Sequence, residues 1–261
     1  MKKVRQPAVA GLFYPSDADQ LRAMVQGFLQ DADTSEPLPK AIIAPHAGYV
    51  YSGPVAASAY ALLRPGRDTF RRVILIGPSH RVGFHGIAVS RADIYATPLG
   101  NVPIDYGAIE KILDLPFIKS FDEAHLLEHS LEVHLPFLQT VLDRFELVPL
   151  VVGSVAASEV GTVLERLWSD AETLTVISSD LSHYHDYATA KRMDQATSLA
   201  IERLRPEDIG HDSACGSMAI NGLLHFARQT GLKARTLDLR NSGDTAGSKD
   251  RVVGYGSYAF H

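Results

Sequence analysis

A single cysteine, Cys215, stands in the 261-residue chain, so an internal disulfide and a thiolate-only metal cluster are both excluded. Basic residues are not in excess either, since 25 Lys and Arg face 30 Asp and Glu for a formal net charge of −5. That balance leaves no basic stripe for a phosphate backbone and argues against nucleic acid as a partner. No stretch approaches the roughly 18 apolar residues of a membrane span, and MKKVRQPAV at positions 1–9 has no apolar signal-peptide core. The expectation is a cytoplasmic protein without a membrane partner. Repeats and long linkers are lacking too, while 46% hydrophobic content is enough for a sizeable core. One domain over residues 1–261 is the expected organisation.

Helical and extended patterns alternate along the chain. Ser16 reads as a helix cap, because Leu21, Met24, Val25, Phe28 and Leu29 follow at helical spacing. Residues 40–44, 72–76, 147–152 and 173–177 are short Ile/Val/Leu runs, apolar on both faces, as strands covered by helices on either side would be. Between them, 55–63, 131–142, 157–168 and 188–204 read as helices. Segments 233–239 and 252–260 alternate more strongly, like strands nearer a sheet edge. The expected fold is α/β, with a central, mostly buried, parallel or mixed sheet flanked by helices.

What is abundant is histidine: eleven residues, unevenly placed. AIIAPH ends at His46, VILIGPSH at His80 and VISSDLSH at His183, so three buried runs each deliver an imidazole just past the strand. Ligands of open α/β sheets bind at the carboxyl ends of the strands. If the three strands run the same way, the imidazoles share one rim, whereas each taken alone reads as a polar loop residue bonded to a carbonyl. EHSLEVHLPF, residues 128–137, adds His129 and His134. Their spacing of five is not the i, i+4 pair of a zinc protease, so His129 is expected to face the pocket and His134 to pair elsewhere. Asp180, three residues before His183, either orients that imidazole as a general base or caps the next helix. In NSGDTAG, Asp244 lies among glycines that permit close backbone approach, although a surface turn explains it equally simply. Cys215, in SACGSMAI at the start of an apolar helix, reads as a small buried residue, with a reactive thiol the lesser reading.

GLFYP, APHAGYVYSG, GPSH, EHSLEVHLPF, SSDLSHY, ACGSMAI and VVGYGSYAF, in that order over nearly the whole chain, resemble the Memo family. Its bacterial and archaeal members are called AmmeMemoRadiSam system protein B. The resemblance implies a fold like that of the class III extradiol (LigB-type) dioxygenases, in which two histidines and a carboxylate hold non-heme Fe(II). Carried onto this sequence, it implies His46 and His80 as metal ligands and His183 as the base near the metal. Eukaryotic members have a cysteine in the C-terminal segment and NSGDTAG has none, so Asp244 is the candidate third ligand. Fe(II) is the expected ion, with copper as alternative. The enzyme reading is a dioxygenase-like oxidoreductase in which His183, helped by Asp180, moves a proton and His129 holds substrate or oxygen. Two other readings stand beside it. One is a binding or adaptor protein that recognises a peptide or anionic group in the same pocket; the other is an accessory partner of an AMMECR1-like protein and a radical SAM protein.

Overall fold

The computed structural model describes residues 2–168 and 171–261. Nine strands build the main sheet: β1 (Ala41–Ala44), β2 (Arg72–Pro78), β3 (Ile87–Val89), β4 (Ile118–Ser120), β5 (Glu146–Val152), β6 (Thr173–Ser178), β7 (His183–His185), β8 (Ala234–Asn241) and β9 (Val252–Phe260). Its centre is four parallel strands side by side, in the order β1, β6, β2, β5. These are the four Ile/Val/Leu runs, and Ile42, Ile43, Ile74, Ile76 and Ile177 are wholly buried in them. A strand covered on both faces gains from apolar residues at every position, which is why their pattern does not alternate. Antiparallel β3 and β9 extend the centre on either side, and β4 pairs with β3.

Strand β9 differs from expectation. It is buried along most of its length, because β8 pairs with one side while β7 and β1 share the other. Of the two, only β8, half-buried at most of its positions, has the edge character that the alternation suggests. A separate three-stranded sheet joins Val4–Arg5, Ile94–Thr97 and Gly100–Pro103.

Five longer helices flank the main sheet: α1 (Ala18–Gln30), α2 (Tyr49–Tyr60), α3 (Ala157–Leu167), α4 (Tyr187–Glu202) and α5 (Ser217–Thr230). Helix α1 is capped by Asp17 rather than Ser16, since Asp17 accepts the N–H groups of Asp19 and Gln20 at 3.1 and 2.9 Å. Helix α2 starts at Tyr49, earlier than position 55, and accommodates Pro54 six residues in. The segment 131–142 splits into a 3₁₀ turn at Glu132–His134 and a short helix at Leu135–Val141. α2 packs against β1 and β9, and α5 against β2 and β6. Among the described residues, no helix is long and apolar enough to cross a membrane.

Candidate metal centre

Because β1, β6 and β2 are parallel neighbours, their carboxyl ends lie in a row. His46 follows β1 by two residues, Asp180 follows β6 by two, and His80 follows β2 by two. The rings of His46 and His80 lie 5.1 Å apart between centroids, and His129 stands 4.7 Å from His80 and 5.5 Å from His46. His183 and Asp180 line the same hollow of about 440 Å³, together with Phe13, Arg81 and Tyr184. The rim thus brings together five of the six candidate residues.

The sixth lies elsewhere. Asp244 belongs to the short helical turn Ser242–Thr245, accepts the Tyr187 hydroxyl at 2.6 Å and the Asn241 N–H at 3.0 Å, and lines a different hollow with Lys191 and Arg240. Its carboxylate is occupied as a turn cap. The third donor among the imidazoles is Cys215, whose Sγ lies 3.4 Å from His46 Nε2. One ligand atom from each of His46, His80 and Cys215 falls within 4.8 Å of the others. Cys215 is only partly buried, so reading it as a small buried residue describes its packing in part and misses its neighbours.

Hydrogen bonds fix which nitrogen each histidine offers. The Ser178 hydroxyl donates to the Ser130 carbonyl at 2.6 Å, so toward His46 Nδ1, 2.7 Å away, it can only accept. His46 therefore carries its proton on Nδ1 and turns the Nε2 lone pair toward Cys215. His80 Nδ1 lies 2.9 Å from Glu128 Oε1, an ionised carboxylate, and must donate to it; its Nε2 is free as well. Both anchors sit on the EHS segment: Glu128 holds His80, and the Ser130 carbonyl holds Ser178 and through it His46.

Two glycines make that packing possible. A Cβ on Gly77 would come within 2.9 Å of Ser130 Oγ and of Leu131, and one on Gly216 within 2.5 Å of the Ser178 carbonyl. The first lets the EHS turn press on the end of β2; the second lets the Cys215 loop close over β6. From behind, buried Arg5 clamps the segment, donating to the carbonyls of Glu128 and His125 and pairing with Glu132.

Electrostatics follow from burial. His46 is held well below the usual histidine range, first by burial and then by the surrounding imidazoles, so its ring is neutral near pH 7. Burial likewise takes His129 down to about 4 and lowers His183, whose ring is bonded to the Leu181 backbone. Burial pushes the Cys215 thiol up to about 12. Burial would also raise Glu128, but the hydrogen bonds from the His80 ring and from the backbone N–H groups of His80 and Ser130 outweigh it and bring the carboxyl down to about 2. Asp180 rises to about 7 because it is buried, partly offset by the His46 N–H bonded to Oδ1 at 2.8 Å. That bond makes Asp180 a tie for the His46 loop; it neither orients His183 nor caps a helix.

A second group, His80, Glu128 and His129, also has donor atoms within 4.8 Å. Glu128 Oε1 already accepts the N–H groups of His129 and Ser130, each at 2.9 Å, besides the His80 ring. An ion there would have to displace the bonds that hold His80 in place, so this group supports the first one instead of competing with it.

The sequence model of the family described as "Memo-like protein" matches residues 5–259. The chain belongs to the Memo family. It is 38% identical over 264 residues to a MEMO1 family protein of Aquifex aeolicus and 36% identical over 269 residues to one of Methanosarcina mazei, with 97% of both chains covered in each comparison. Among solved structures, an uncharacterized Escherichia coli protein shares the fold at a TM-score of 0.50 and 16% identity, over 82% of this chain and 98% of that one. Two residues of this cluster escape a reading by strand exits. Cys215 enters from the start of α5, not from a strand, and Glu128 acts through another side chain. The signal for both lies in motifs already visible, ACGSMAI and EHSLEVHLPF: a lone cysteine beside a helix start, and a carboxylate adjoining a histidine.

Proposed function

We propose that this Memo-family protein binds one transition-metal ion through His46 Nε2, His80 Nε2 and Cys215 Sγ, and uses it for oxidoreductase chemistry in the hollow beside it. The observation that carries this reading is the 3.4 Å separation of His46 Nε2 and Cys215 Sγ, close to the roughly 3.6 Å that two such donors span around a tetrahedral ion. Two neutral imidazoles and one thiolate suit Fe(II) or copper, and exchanging the expected carboxylate for sulfur moves the preference toward the softer ion. When bound, such an ion supplies Lewis acidity and one-electron redox capacity at its open positions.

The remaining groups are the protein's own contribution. Glu128 and Ser178 hold the two imidazoles in the tautomers that leave Nε2 bare. His129 and His183 are neutral and present hydrogen-bonding nitrogens to a molecule in the hollow. Asp180, up at about 7, can hold or release a proton beside them.

A cysteine–histidine nucleophile is the competing chemistry for the same contact, and burial opposes it. With the thiol up at about 12 and His46 well below its usual range, proton transfer from sulfur to nitrogen is uphill in both partners. A bound cation would reverse that balance, because coordination deprotonates the thiol. Recognition without turnover is the second functional reading, favoured by the exposed rings of Tyr51 and Tyr184 and exposed Leu12 and Val50 near the hollow.

Metal analysis after anaerobic purification tests the proposal. About one iron or copper per chain is expected, and His46→Ala combined with His80→Ala should abolish it; unchanged metal in the double variant would refute the centre. Oxygen uptake by the loaded protein across a panel of small diols and phenols separates turnover from recognition.

A further inference from the structure

Next to the cluster, over the ends of β2 and β5, lies a separate chamber of about 470 Å³. This volume is in the range of small-molecule sites. Val82, Phe84, Val152, Met218 and Ala219 make its lining mostly apolar, beside the polar side chains of Ser79, His85, Ser154 and His211, and its wall contains no Lys, Arg, Asp or Glu among the described residues. The imidazole hollow differs, with Arg81 and Asp180 in its wall. An ion placed in the chamber would lose part of its hydration and find no Lys, Arg, Asp or Glu to pair with.

The chamber is continuous with the metal ligands. Val82 and Phe84 follow His80 along the chain, and Met218 and Ala219 follow Cys215. Cys215 and His211 border both this chamber and an outer hollow that contains His80 and His183. Its far wall is rigid: Ser154 N donates to the Phe84 carbonyl at 2.8 Å, and Gly86 N to the Ser154 carbonyl at 3.0 Å. A Cβ on Gly153 would stand 2.2 Å from that Phe84 carbonyl, so the two segments are in direct backbone contact.

We propose that this chamber receives the neutral, largely apolar body of the small molecule on which the metal centre acts, reaching the cluster past Cys215. The proposal rests on the metal reading above, and it names a substrate class: uncharged molecules of about one ring in size with a polar atom at one end. The imidazole hollow on the other side is then left for a small polar co-ligand or water.

Benzyl alcohol serves as the neutral probe and benzoate as its charged counterpart, with cobalt(II) in the centre as the reporter. The thiolate-to-cobalt charge-transfer band reads the metal site, and paramagnetic broadening of the probe's ring protons reads proximity to it, with the zinc-loaded protein as control. The expected result is broadening of benzyl alcohol by the cobalt form only, and binding of benzoate weaker by about tenfold or more. Ala219→Phe should fill the chamber, keep the cobalt band, and weaken benzyl alcohol by about tenfold or more. Met218→Trp, which replaces a side chain 37% exposed, repeats the test if Ala219→Phe does not fold. Unchanged benzyl alcohol binding in the folded variant, or benzoate binding as well as the alcohol, overturns the chamber. Absence of the cobalt band with binding that Ala219→Phe still weakens, read by saturation transfer, overturns the metal centre and supports the chamber.

Discussion

Glu128 accepts the backbone N–H of His80 at 2.6 Å and its ring Nδ1 at 2.9 Å. One carboxylate therefore decides both where that histidine stands and which nitrogen it offers. Carboxylates in this position raise the basicity of a ligating imidazole, and their loss typically costs 10- to 100-fold in metal affinity. Glu128→Gln keeps an oxygen for the ring but removes the charge. Its affinity for zinc or cobalt, measured by chelator competition, should fall by about 10- to 100-fold with the fold retained. An unchanged affinity would mean that His80 needs no anionic partner.

Cys215 and Asp244 make opposite predictions for the third ligand. Cys215→Ser should remove the thiolate-to-cobalt band and most bound metal. Asp244→Asn should leave both intact, because that carboxylate caps its own turn and is engaged by Tyr187. Its cost should be confined to stability, at about 1 kcal/mol, read from the urea midpoint. Loss of metal in Asp244→Asn with metal still bound in Cys215→Ser would restore the carboxylate assignment.

Much of this centre is legible from the chain because parallel strands impose a rule. Runs such as AIIA and VILI, apolar at every position, mark strands buried on both faces, and such strands share a polarity that gathers the residues just past their carboxyl ends on one rim. That logic finds His46 and His80. It does not find Cys215, which reaches the rim from a helix start, and the long-range closure of that loop over Ser178 depends on Gly216, whose packing no local pattern announces. Asp244 misleads for a related reason: flanking glycines signal close approach but not to what. Strand β9 reads as edge-like because its small and polar residues, among them Gly254, Gly256 and Ser257, answer to neighbours on two sides, not to solvent.

The buried pair of Arg5 and Glu132 is a further point of control, over 120 residues apart in sequence. Glu132 also accepts the N–H groups of Ala8 and Val9 and the Tyr14 hydroxyl, so its charge is fully engaged. Removing one partner of a buried pair strands the other and typically costs 3–5 kcal/mol. Arg5→Met should destabilise the metal-free protein by about that amount in urea unfolding. It should also weaken metal binding, because the Arg5 guanidinium holds the Glu128 carbonyl. Full metal affinity in a destabilised Arg5→Met would uncouple the clamp from the centre.

Acid should destabilise the metal-free fold through histidines that ligate nothing. His125 donates from Nε2 to the Ala88 carbonyl at 3.0 Å and accepts the Tyr95 hydroxyl on Nδ1 at 2.7 Å. Burial lowers it from 6.5 to about 4. Between those two values the unfolded chain binds the proton and the folded chain does not, so stability rises with pH across the window. The contribution is complete above about 6.5 and is lost as pH falls toward 4. His134, bonded to the Tyr60 hydroxyl and down at about 3, acts in the same direction. Urea midpoints of the metal-free protein should therefore drop between pH 7 and pH 5. His125→Gln should start less stable at pH 7 and show a shallower drop, because the group that takes up the proton on unfolding is gone. A His125→Gln chain whose midpoint falls as steeply as that of the parent would assign the acid sensitivity to the imidazoles of the rim instead.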